Sequence, residues 1–223
     1  PKMVLIDMDA VEHKNVGRQL FTPYDAQQGV NKAVSMARRL SMAYGLQIEA
    51  VTTTISAYAE DRYAHSNRST LLIDCVDNHL ARAAIVEMEP GLVVSCGNDR
   101  VNGQVIVGNV YGEVQHQRKP RHGGVSHLPA FNLVMPELVE PPPQVDTNEL
   151  SCAELTVLGE QHLLINDLMA DVAASYAYKV LHRQALNTHM TYVSVDPLAV
   201  RSLPISAELL EQYGILHEPE APS

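Results

Sequence analysis

Tryptophan is absent from the 223 residues, phenylalanine occurs twice, and there are three cysteines, Cys75, Cys96 and Cys152. They form no CxxC pair and cannot all pair with one another, which excludes a disulfide-stapled scaffold and a four-cysteine zinc site within one chain. No apolar run approaches the roughly 18 residues that span a bilayer, and the opening PKMVLIDMD lacks a secretory pattern. The expected location is cytoplasmic, with no membrane partner. Positive charge is scarce too: 16 Lys and Arg against 26 Asp and Glu give a formal net charge of −10. Binding a phosphate backbone requires a basic surface that releases counterions, so no nucleic-acid partner is expected.

What is present is an ordinary globular composition, 46% hydrophobic and 19% charged, in a chain long enough for one large domain or one with a small appendage. Ten histidines are many for this length, and His116, His122 and His127 share one loop-like segment. Their spacing matches no familiar ligand pattern, and they read as solvated loop residues.

Met3 to Met8 is a short apolar run ending in Asp7 and Asp9, as a buried strand opening onto polar chemistry would. Val30, Ala33, Val34, Ala37, Leu40 and Tyr44 recur at helical spacing over 29–44, and Gly45 is placed to end that helix. Strands are expected at 47–54, 71–76, 92–96 and 101–110, and a helix at 78–89 stopped by Pro90 and Gly91. Continuous apolar strands alternating with helices indicate an α/β, doubly wound, mostly parallel sheet. Cys75 and Cys96 fall in these strands and read as core. From 112 to 150 the chain is rich in proline, including Pro136, Pro141, Pro142 and Pro143, and reads as a crossover or surface loop. A long helix at about 160–183, with Leu164, Leu168, Val172, Tyr176 and Val180 on one stripe, and a strand at 190–195 complete the same domain over 151–223. Residues 1–111 then form the ligand-binding core.

Ligands of open parallel sheets bind outside the carboxyl ends of the strands, where Asp7, Asp9, Asp74 and Asp77 are expected. Asp7 or Asp9 suits a ribose hydroxyl, and turn formation or capping explains such residues equally well.

The longer string DMDAVEHKNVGRQLF at 7–21, followed by Gly29, Lys32 and DCVDN at 74–78, resembles the ThiF/MoeB/HesA family of ubiquitin-activating-type adenylyltransferases. NVGRQ and the later QHLLINDLMA resemble more closely the ThiF-like proteins of the PRTRC system. The resemblance covers residues 3–110 well and 150–197 loosely. It implies a Rossmann-like fold and a reaction in which a carboxylate of a ubiquitin-like or sulfur-carrier protein attacks the α-phosphate of ATP and expels pyrophosphate. Arg18 would offer a planar fork to phosphate oxygens, Lys32 a point charge near a helix N-terminus, and Asp77 a ligand for Mg²⁺. Asp7, Asp9, Asn15 and Gln19 would complete the nucleotide lining. The resemblance also implies a homodimer. SCGNDRVNGQV at 95–105 resembles the family segment leading toward the partner groove, with Arg100 either an anchor there or a surface charge.

The family's glycine-rich phosphate loop belongs about 20 residues before Asp7, and six residues precede Asp7 here. The first strand and this loop are therefore expected to be missing, the chain being part of a longer protein. Cys152 is a candidate thioester nucleophile, with Glu154 rather than a cation beside it. Two other readings stay open: a non-catalytic interaction remnant of the family, and an NAD-dependent oxidoreductase, in which Arg18 and Lys32 have no obvious duty.

Overall fold

A computed structural model describes residues 2–17, 19–62, 70–99, 101–109, 128–140 and 163–213. Two compact units divide the chain, 1–66 and 67–223. The division falls inside the segment 1–111 that the sequence reading takes as one core.

In the first unit β1 (Met3–Ile6) pairs in parallel with β2 (Ile48–Val51), in register from Met3 opposite Ile48 to Ile6 opposite Val51. Between them lie a 3-10 turn (His13–Asn15), α1 (Pro23–Gln27) and α2 (Lys32–Tyr44), and α3 (Ile55–Arg62) follows β2. The expected helix over 29–44 begins at Lys32 because Asn31 caps it, its side-chain oxygen accepting from the Val34 N–H at 3.1 Å. Gly45 ends it at φ 66°, in the left-handed region where a side chain is costly. The face laid on β1 and β2 is small, with Ala33, Ser35 and Ala37 buried, while Val34 and Tyr44 of the expected stripe are exposed.

The second unit is a five-stranded sheet in the order β3-β4-β5-β6-β7. β3 (Leu71–Asp74) and β4 (Leu92–Asn98) are parallel and joined through α4 (His79–Met88), which lies within the expected 78–89 and is capped by Asn78. β5 (Asn102–Gly108), β6 (Thr188–Val195) and β7 (Leu198–Pro204) extend the sheet antiparallel. The class is α/β, as expected, with its parallel pairings at β1–β2 and β3–β4. Apolar runs report burial on both faces, not strand direction. Val105, Ile106 and Val107 are buried because α5 (Phe131–Val134) and α6 (Leu163–Leu181) both pack on β5.

α6 covers the centre of this sheet, Ile165, Met169, Ala173 and Tyr176 packing on Val94, Val105 and Val193. Leu164, placed on the buried stripe by the sequence, is instead 55% exposed. At 3.6 residues per turn a strict four-residue row drifts about 40° at each step, so the buried row starts one position later and meets the expected one at Tyr176. Within the stretch read as surface excursion, Leu128, Ala130 and Phe131 are buried. Gly108 makes this possible, since any Cβ there would collide with the backbone of Pro129 and Ala130. β7 and α7 (Ala207–Gln212), absent from the sequence reading, close the unit; Leu210 of α7 packs on Leu128. Among the described residues no helix is long and apolar enough to cross a membrane.

Candidate functional site

In the first unit, β1 ends where Asp7 donates its N–H to the Val51 carbonyl at 3.1 Å. The turn that follows is clasped to the start of α2. Asp7 Oδ1 accepts from the Asp9 N–H at 2.8 Å, and Asn31 Nδ2 donates to the carbonyls of Asp7 and Asp9 at 2.8 and 3.0 Å. Lys32 adds two bonds to Asp9, one from its N–H to the carbonyl at 2.8 Å and one from Nζ to Oδ2 at 2.9 Å. The Lys32 side chain is 19% exposed and that of Asp9 56%. Of the residues expected in a nucleotide lining, Asp7, Asp9 and Lys32 are therefore held together directly. Asn15 is committed to a capping box, its Oδ1 accepting from the Glu12 N–H at 2.9 Å, and the exposed Gln19 is tied to it through its N–H on the Asn15 carbonyl at 3.0 Å. Arg18 lies outside the described residues.

A buried carboxylate nearby in the chain escaped the sequence reading. Asp25 is 1% exposed and accepts from the Thr22 hydroxyl and N–H at 2.7 and 2.9 Å and from Arg39 Nη2 at 2.9 Å. The Thr22 hydroxyl, then its N–H, with help from Arg39, holds the carboxyl down at about 2. Its local signal was Thr22-Pro-Tyr-Asp25, a capping box with proline in the first helical turn.

In the second unit an open cleft of about 280 Å³ lies at the carboxyl ends of β3 and β4, lined by Val76, Asp77, Arg82, Gly97, Asp99 and Gln104 among others. Its wall is organised by Arg82, 6% exposed, a residue that the sequence reading left as one more helix position. Arg82 Nη2 donates to the carbonyls of Val76 and Cys96 at 2.7 and 2.9 Å, and Nε donates to Asp74 Oδ2 at 3.4 Å. Asp74 also accepts from the Ser95 hydroxyl at 2.7 Å and the Val76 N–H at 3.0 Å. Burial pushes its carboxyl above the ordinary value, against the opposing pull of these donors. One guanidinium thus fixes the loop after β3 to the end of β4. Asp77, the expected magnesium ligand, is exposed at the cleft, and Asn78 Nδ2 donates to its Oδ1 at 3.4 Å. Gly97 leaves room for the Gln104 amide, which a Cβ there would meet at 2.5 Å.

Cys75 corrects the core reading: it is exposed just beyond β3, and Cys96 is half-buried on β4. The Cys96 thiol hydrogen-bonds to Cys75, which lowers the Cys75 thiol and raises that of Cys96. Cys152 and the three loop histidines lie outside the described residues. Among the described residues no three His, Cys, Asp or Glu side chains gather as a metal-binding group. An exposed Asp77 at an open cleft still fits Mg²⁺, which commonly takes one or two protein carboxylates and fills its other positions with water and phosphate oxygens.

A family model described as the ThiF family matches residues 1–207. The chain belongs to the ThiF family. No curated protein sequence gives a significant match to it. Among solved structures, this ThiF-family chain is similar to E. coli MccB with MccA and to E. coli MccB with ATP, each at a TM-score of 0.56 and 15% identity over 92% of this chain and 56% of MccB. It is similar also to PaaA, at a TM-score of 0.50 and 16% identity over 91% of this chain and 64% of PaaA. At such identities the likeness shows the fold, which is the Rossmann-like α/β fold of these proteins. The chain spans 56% of the length of the MccB chain it matches.

Proposed function

We propose that the chain acts as a ThiF-type adenylyltransferase, with Mg·ATP as nucleotide and, as acceptor, the C-terminal carboxylate of a peptide or small carrier protein. A ubiquitin-like or sulfur-carrier protein is the finer assignment. The observation that carries this reading is the family match over residues 1–207. The solved MccB structures, one with ATP and one with MccA, support a nucleotide and a peptide by analogy.

In the proposed reaction an acceptor carboxylate oxygen bonds to the α-phosphorus, the bond to the bridging oxygen breaks, and pyrophosphate departs. Such a transfer depends on in-line placement and on compensating phosphate charge more than on proton transfer. Asp77 is the proposed Mg²⁺ ligand, the ion neutralising charge on phosphate oxygens when bound. Asp7 and Asp9 are assigned to the ribose, Asn15 and Gln19 to the polar lining, and Arg18 and Lys32 to phosphate oxygens. For Lys32 that duty means exchanging its 2.9 Å ion pair with Asp9 for the ligand. Cys152 is retained as the proposed nucleophile should the acyl group pass to a thioester.

Calorimetric titration of Mg·ATP into the chain, with NAD as control, tests the reading. Micromolar binding of Mg·ATP alone is expected. Asp77→Ala should weaken it at least about tenfold, ~1.4 kcal/mol, with an unchanged circular dichroism spectrum. Unchanged affinity removes Asp77 from the site. Absence of binding by either nucleotide supports the second reading, a non-catalytic partner-binding member. Two observations favour that alternative: Lys32 is already paired with Asp9, and Arg82 is committed to two carbonyls and Asp74.

A further inference from the structure

Cys75 and Cys96 stand side by side at the carboxyl ends of β3 and β4. The parallel register ends with Asp74 opposite Ser95, and Cys75 and Cys96 are the residues that follow these two in the chain. Neighbouring strands run about 4.8 Å apart, and residues opposite one another project to the same face. A disulfide needs Cα atoms about 4.4–6.8 Å apart, a span that includes this strand spacing. Both are free cysteines. They differ in access, Cys75 exposed and Cys96 half-buried, as in an attacking thiol backed by a resolving one. Val76 and Gly97, the residues that follow them, line the cleft.

We propose that Cys75 and Cys96 form a reversible dithiol–disulfide couple in the wall of the cleft, oxidised by small-molecule disulfides of the glutathione type. The Cys75 thiolate attacks one sulfur of the reagent, whose S–S bond breaks and releases one thiolate. Cys96 then attacks the Cys75 sulfur of the mixed disulfide, gives its proton to solvent and expels the second thiolate. Two protein thiols lose two electrons, and the reagent becomes two thiols. The bond ties together the strand ends that Arg82 otherwise bridges through the Val76 and Cys96 carbonyls.

The test uses the full chain with Cys152→Ser, in which Cys75 and Cys96 are the only thiols. It is equilibrated with mixtures of reduced and oxidised glutathione, acid-quenched, and read by intact mass and peptide mapping. The expected product is two hydrogens lighter, links the peptides containing residues 75 and 96, and reverts with dithiothreitol. Its equilibrium constant in the folded chain should exceed that in urea at least about tenfold, equivalent to ~30 mV for a two-electron couple. A folded chain carrying only glutathione adducts, or forming the internal bond no better than in urea, overturns the proposal. The wild-type chain, mapped in the same way, guards against a folding defect in the variant; there, a linkage through Cys152 in place of the 75–96 bond overturns it as well.

Discussion

A histidine with no accessible surface must give up its proton before the chain can close around it. His189 is fully buried, its Nε2 lies 2.7 Å from the Pro129 carbonyl, and its Nδ1 has no hydrogen-bond partner. The carbonyl accepts, so Nε2 carries the hydrogen and the ring is neutral. Burial holds the imidazole below its ordinary value of 6.5, outweighing the bond to Pro129, which pulls the other way. The unfolded chain then binds a proton that the folded chain refuses. Stability is complete above about pH 6.5 and falls as the pH drops from there through the lowered folded value. His189→Gln, which keeps an N–H donor and cannot titrate, should flatten the dependence of the urea midpoint between about pH 7 and 5. A slope identical to wild type would show that some other group sets it. Asp25 acts lower on the scale: its contribution is present above the ordinary 3.8 and is lost as the pH falls toward about 2.

At the level of elements, Arg82 does for β3 and β4 what Asn31 does for β1 and α2, donating to two backbone carbonyls. Arg82→Ala leaves two carbonyls without their donor and the Asp74 carboxyl without its cation. A loss of about 3–5 kcal/mol in urea denaturation is expected. Arg82→Lys should restore only part of it, since a single ammonium cannot reproduce the planar fork. Stability equal to wild type in the alanine variant would show the clamp to be idle. Helix C-termini were legible in the sequence because their stop signals are local: Gly45 ends α2, and Pro90-Gly91 follows α4, whereas the Asn31 cap that starts α2 at Lys32, later than expected, was not read. Strand direction was not legible, since Val105–Val107 reads the same in a parallel or an antiparallel neighbour. Arg82 was not singled out because its burial depends on β3 pairing with β4, a contact far beyond any local window. The β6–β7 hairpin was half seen: Met190, Thr191 and Val193 are buried, whereas β7 is mostly exposed and carries no buried face to mark it.

For the whole molecule, the family was legible from a string of motifs none of which is specific alone, and the family model matches residues 1–207. Asp7, Asp9 and Lys32 were readable as one group because the strand end and the helix start that bring them together are both written locally. The net charge of −10 acts at this scale as well. It opposes any extended polyanion, so an anionic ligand must find compensation at particular side chains. Labelled duplex DNA at physiological salt should show no saturable rise in fluorescence anisotropy with added chain. A rise that weakens steeply with salt would reveal a basic surface that the overall charge conceals.

Asn31 uses both N–H donors of its amide on backbone carbonyls and its oxygen on a helix N–H. By capping rank alone aspartate and asparagine are interchangeable. Here they are not, because replacing the nitrogen with oxygen would set a carboxylate against the carbonyl oxygens of Asp7 and Asp9. Spontaneous deamidation makes that replacement without any change in the gene. At position 31 that single exchange of nitrogen for oxygen would open the clasp between the first strand and the helix that follows.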